Sequence, residues 1–143
     1  MKNAITIANA ILKLSEPEIG DSVTNLKLQK LLYYSQGFCL ALYKDKPLFK
    51  EEILAWDHGP VVKEVYEMFK KYGSNTIPVP TADISLTARE EKVVVGVWKV
   101  YGQFSAWKLR DMTHDENPWK NTKRSTVISH SALRRFFKEL IVA

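Results

Sequence analysis

Four consecutive residues, Asp57-His58-Gly59-Pro60, set a carboxylate beside an imidazole just ahead of a glycine–proline pair. An acid next to a histidine suggests general acid–base work. That work needs a nucleophile or a metal within hydrogen-bond reach. The other histidines are His114 and His130. A metal set of His58 and His114 with Asp111 or Asp115 can be drawn, but no i, i+4 histidine pair and no HExxH stands behind it. The one cysteine, Cys39, falls on an apolar helical stripe, where a thiol packs rather than reacts. No Gly-x-Ser-x-Gly elbow is present. The expectation is therefore no catalytic residue, no metal ligand, no cofactor and no small-molecule substrate, with His58 packing or hydrogen-bonding at a helix entrance.

A second dense stretch, Thr113-His114-Asp115-Glu116-Asn117-Pro118-Trp119, again joins a histidine, acids, a proline and a tryptophan. Tryptophan beside charge is the chemistry of an interaction hot spot, although Trp56 and Trp119 each also suit the core. Both stretches border helices. Trp56, His58, His114 and Trp119 are expected to line one end of the domain, with Lys108, Arg110, Lys123 and Arg124 nearby as a partner-binding set.

The elements that must hold these residues read as helices. Residues 3–14 place Ala4, Ile5, Ala8, Ile11 and Leu12 on one stripe. After a turn-rich break at 16–21, Thr24 or Asn25 caps a helix over about 25–43, with Leu28, Leu31, Leu32, Ser35, Phe38, Cys39 and Leu42 at helical spacing. Its other face carries Lys30, Tyr34, Gly37 and Ala41, and the small Gly37 and Ala41 let a second helix approach. This helix is expected to be central. Lys44-Asp45-Lys46-Pro47 reads as a turn, and 51–56 as a short strand or irregular segment. Gly59 and Pro60 are expected to open a third helix, proline fitting its first position, with Val61, Val62, Val65, Tyr66 and Phe69 buried and Gly73 past its end.

Residues 76–85 read as an extended crossing. Thr87-Ala88-Arg89-Glu90 matches a capping box. The β-branched run Val93–Val97 is assigned to a helix because that box precedes it and because Val94, Val97, Trp98 and Tyr101 fit the helical period. Ser105 caps a short helix to 112 or 113. Ser129 caps a last one, striped with Leu133, Phe136, Phe137, Leu140 and Ile141. The fold class is thus mainly α: one compact domain over 1–143, about six helices around the central one, and at most one small strand pair.

Composition limits the partners. Hydrophobic and charged fractions of 45% and 26% are those of a globular chain. No apolar run approaches a membrane span. The N-terminus lacks an apolar h-region, so no signal peptide is expected and the cytoplasm is the expected compartment. A lone cysteine excludes an internal disulfide. Net charge is +5, and Lys120, Lys123, Arg124, Arg134, Arg135 and Lys138 form a block without an acid. Such a block suits a solvated surface, an acidic protein face or nucleic acid. No RNA-binding signature, zinc-finger spacing or Gly-rich phosphate loop accompanies it.

The run Leu26-Lys27-Leu28-Gln29-Lys30-Leu31-Leu32-Tyr33-Tyr34-Ser35-Gln36-Gly37, then Pro47-Leu48-Phe49, then Ala55-Trp56-Asp57-His58-Gly59-Pro60-Val61-Val62 and Tyr66, resembles the Panacea-domain antitoxin family, which includes SocA-like and phage-associated proteins. Thr113-His114 followed by Pro118-Trp119 is similar to the second half of the family pattern, and the resemblance runs from about Ala4 to the last helix. It implies an antitoxin that binds a cognate protein toxin and neutralises it by contact. In the SocA-like branch it implies an adaptor that delivers the toxin to a protease complex. Many members carry an added DNA-binding region, for which this chain leaves no room. The resemblance makes Leu28, Lys30, Leu31, Tyr34, Gly37, Gly59, Pro60, Val61, Tyr66 and Pro118 the architecture behind a partner surface. A nucleic-acid-binding regulator and a hydrolase using Asp57 and His58 are the rival readings.

Overall fold

The computed structural model describes every residue except Asp45 and Ala143, so Asp45 of the expected 44–47 turn lies outside the described residues. The elements run α1 (Ala4–Leu14), α2 (Asn25–Leu42), β1 (Ile53–Trp56), β2 (Gly59–Val61), α3 (Lys63–Phe69), α4 (Ala88–Tyr101), α5 (Ala106–His114), α6 (Asn117–Lys120), β3 (Val127–Ile128) and α7 (His130–Val142). The class is mainly α, as expected. Where at most one small strand pair was expected, three short strands form an antiparallel sheet of order β2-β1-β3.

Helix starts follow side-chain chemistry. Asn3, Thr24, Thr87 and Ser105 each accept from a backbone N–H in the first turn of α1, α2, α4 and α5, and Ser129 accepts from Ala132 at the head of α7. At Thr87 the capping box closes both ways, with the Glu90 carboxylate returning to the Thr87 N–H. That box, with Val93, Val94 and Val97 turned to the core, makes α4 a helix despite its β-branched content.

Helix α2 is the axle. It packs against α1, α4, α5, α7 and β2. Leu28, Leu31, Leu32, Tyr33, Tyr34, Cys39 and Leu40 are fully buried on it. A Cβ on Gly37 would collide with the Phe137 ring, so the small residue expected to admit a neighbour admits α7. The two faces read from the sequence cover only part of what α2 buries. Asn25, Lys27, Gln29, Lys30, Ser35 and Gln36 are buried as well: Ser35 bonds the Leu31 carbonyl of its own helix, and the other five hold the backbone of neighbouring segments. Gln36, for example, accepts from Leu48 N–H at 2.7 Å and donates to the Phe49 carbonyl at 2.8 Å.

Gly59 and Pro60 do not open the third helix. Trp56 pairs with Gly59, Ala55 with Pro60 and Leu54 with Val61, making a hairpin turned by Asp57 and His58. Gly59 sits at φ +109°, a conformation that side chains resist. β2 lies at the edge of the sheet, so proline's missing N–H costs no ladder bond. Helix α3 starts only at Lys63. Its entry is fixed from outside, by Gln29 Oε1 accepting from Val62 N–H at 2.9 Å.

Candidate functional site

The hairpin tip, the N-terminal half of α2, Tyr66 of α3 with the segment after that helix, and the first turn of α5 line an open cavity of about 780 Å³. Trp56, Tyr66 and Trp107 give it aromatic walls, and Asn25, Gln29 and Lys30 come to it from α2. The Trp56 and Tyr66 rings meet edge-to-face at 5.2 Å. The polar residues of α2 are fixed in place. Asn25 donates to the Tyr66 carbonyl at 3.1 Å and accepts from Gln29 at 2.9 Å, while Lys30 Nζ donates to the Pro60 carbonyl at 3.0 Å.

Lys30 is fully buried and has no carboxylate partner among the described residues. Burial first, and then the Arg110 charge, lower its pKa to about 7. Glycine at 59 matters here for a second reason. A Cβ would press on the Lys30 side chain and on Thr113 Oγ1 at about 3 Å, so the hairpin can lie on Lys30 only without a side chain there.

Beside the cavity, Arg110 Nε donates to His58 Nδ1 at 3.2 Å, and Arg110 Nη1 meets Asp111 at 3.1 Å. His58 also stands edge-on to Trp107 at 5.9 Å, and the Arg110 guanidinium lies 5.1 Å from the Trp107 ring centre. A guanidinium therefore sits where a metal shared by His58 and Asp111 would sit. Among the described residues no group of three or more His, Cys, Asp or Glu assembles into a metal site.

The second stretch forms a tied knot. Trp119 Nε1 donates to the Trp56 carbonyl at 2.7 Å. The His114 ring stacks on Trp119 at 3.9 Å, 4° from parallel. The Arg124 guanidinium lies 3.6 Å from the Trp119 ring centre and donates to the Trp119 carbonyl at 2.6 Å. Burial, then the Arg110 and Lys30 charges, hold His114 below its ordinary pKa and so favour the neutral ring. Next to it, Tyr33 and Tyr34 each donate to Glu116 at 2.9 Å. Burial raises the Glu116 carboxyl to about 7 against the opposing pull of the two hydroxyls.

Of the partner-binding set, the structure gathers Trp56, His58 and Arg110 at the cavity, and His114, Trp119 and Arg124 in the knot. The Trp119–Trp56 bond joins the two groups. Lys108 and Lys123 are exposed on the surface, and the Lys123 carbonyl is engaged by Thr126. Trp107 was missed. It is 59% exposed, and its position three residues before Arg110 on a helix was the available signal. Asn25 and Gln29 were missed because single polar residues in an apolar helix carry no pattern of their own.

A family model described as "Antitoxin SocA-like, Panacea domain" matches residues 28–120, more than half of the chain, and the chain belongs to that family. The matched span is shorter than the resemblance read from the sequence and leaves out α1, β3 and α7. No curated protein and no solved structure matches the chain. No helix among the described residues is long and apolar enough to cross a membrane.

Proposed function

We propose, from membership of the SocA-like Panacea family, that this chain is an antitoxin that neutralises a cognate protein toxin by direct contact in the cytoplasm, with no bond made or broken on it. The family match over residues 28–120 carries this reading. The whole chain acts as one helical domain whose contact surface centres on the hairpin end: Trp56 and His58, with Arg110 and Lys108 beside them on α5. A contact of about 800 Å² per partner is of ordinary size for a specific complex. His114, Trp119 and Arg124 support that surface from within, and Lys123 lies at its edge.

The pairing of His58 with a guanidinium, rather than with a hydroxyl or thiol, supports recognition over hydrolysis. Co-expression with the neighbouring reading frame tests the proposal. Growth arrest caused by that frame alone, relieved by this chain, is the expected result. A neighbour that is harmless, or toxic and not relieved, contradicts it. Relief that disappears in protease-deficient cells would mark delivery for degradation instead.

A further inference from the structure

The antitoxin reading leaves unassigned the cavity beside the hairpin and the buried lysine, Lys30, beneath it. Three observations give that cavity a ligand chemistry. Its walls are aromatic, from Trp56, Tyr66 and Trp107, and Trp107 is largely exposed at its mouth. Aromatic side chains lining a concave site of some hundreds of cubic ångströms suit one or two inserted side chains.

Its charges are mostly positive, and the one that is fully buried, Lys30, has no acidic partner among the described residues. Lys30 lines it from α2, fully buried, with the Pro60 carbonyl as its hydrogen-bond acceptor. An ammonium has three donors, and a buried charge gains most from a carboxylate. Lys70, in an exposed ion pair with Glu67 at 2.7 Å, lies on the lining, and His58 with Arg110 stands at the rim. The acid that Arg110 meets is the exposed Asp111, and among the described residues Asp57 is the single acid on the lining. Of the neutral polar residues on the lining, Asn25 and Gln29 are already occupied by backbone groups and hold the walls still.

We infer that this cavity is the anchor pocket for the toxin, and that it receives an acidic segment presenting a carboxylate next to an aromatic or large aliphatic side chain. The carboxylate lies toward Lys30 and Arg110, and the apolar side chain lies between Trp56, Tyr66 and Trp107. A protein segment fits better than nucleic acid. A strand binder needs a cationic groove that follows the backbone, whereas here a few cations surround one hollow with Asp57 on its lining. This inference rests on the antitoxin reading but is separable from it.

The test measures binding of the purified co-encoded toxin to wild type, Trp107→Ala, Lys30→Met and, as a surface control, Lys92→Ala, by calorimetry. Circular dichroism checks each fold. The two pocket variants are expected to bind at least about tenfold more weakly, a difference of one order in Kd, with Lys92→Ala unchanged. If wild type and Trp107→Ala bind alike, the pocket is overturned while the antitoxin reading stands. If wild type does not bind the toxin, the antitoxin reading fails, and the pocket is judged on tryptophan fluorescence with acetyl-Glu-Phe-Glu-amide. Saturable quenching, lost with the Gln counterpart peptide and in Trp107→Ala, supports it. No saturation at millimolar peptide, or competition by oligothymidylate that vanishes with salt, overturns it.

Discussion

The two stretches AWDHGP and THDENPW use nearly the same residue types and end in opposite states. In the second, every aromatic group is consumed internally: Trp119 bonds the β1 backbone, His114 stacks on it, and Arg124 covers it. In the first, Trp56 and the exposed His58 face a cavity, and Trp107 stands open beside them. The difference lies in what surrounds each stretch. The knot is closed by the α5–α6 corner and by Glu116 on the tyrosines of α2. The hairpin is held by Lys30 and Gln29 beneath it, by the Trp119 bond to Trp56 and by β3 along its edge, and its tip is left open to the cavity. One stretch builds the platform and the other presents a surface.

Breaking the knot should have the largest effect. Trp119→Ala loses the ring, its stack and the bond to Trp56, and should cost about 3–5 kcal/mol in urea unfolding. A loss under about 1 kcal/mol, within the usual range for surface substitutions, would erase the contrast between the two stretches.

Lys30 on α2 and Glu116 at the head of α6 separate the regions by pH. The pKa of Lys30 is lowered in the folded chain from 10.5 to about 7, so the unfolded chain binds the extra proton between those values. Its contribution to stability therefore rises with pH across that window, by up to about 1.4 kcal/mol per unit. Glu116 is shifted from 4.5 up to about 7, so the folded chain holds the extra proton. Its contribution is present below pH 4.5 and is lost as pH rises through about 7. Subtracting the unfolding profile of Lys30→Met from that of wild type should isolate a rise above neutrality. Doing the same with Glu116→Gln should isolate a fall below it. Reversed or flat differences would remove the assigned environments.

The smallest stability effect belongs to the open side. Trp107→Ala should change unfolding by no more than about 0.5 kcal/mol, although it strips the mouth of the cavity. A large loss there would make Trp107 part of the platform.

The sequence made the helices legible where caps and period agreed, as at Thr87–Glu90 and along α7, and Gly37 announced the close approach of Phe137. It failed at Gly59-Pro60 because proline suits both a helix start and an edge strand. The pairing that decides, with Ile53–Trp56, is not local. The two residues of β3 are too few to show a pattern. The candidate surface was half legible: the histidines and tryptophans marked the right end of the molecule, but not which of them would be spent on packing. Lys30 read as part of a helix face, and nothing in its neighbours along the chain revealed that a hairpin would bury it.

The central claim is that contact alone silences the toxin. It is tested most directly by titrating the purified co-encoded toxin with this chain, in the absence of any protease, while following toxin activity. The account predicts that activity falls to zero at a fixed molar ratio. Toxin that stays fully active with excess purified chain would contradict it.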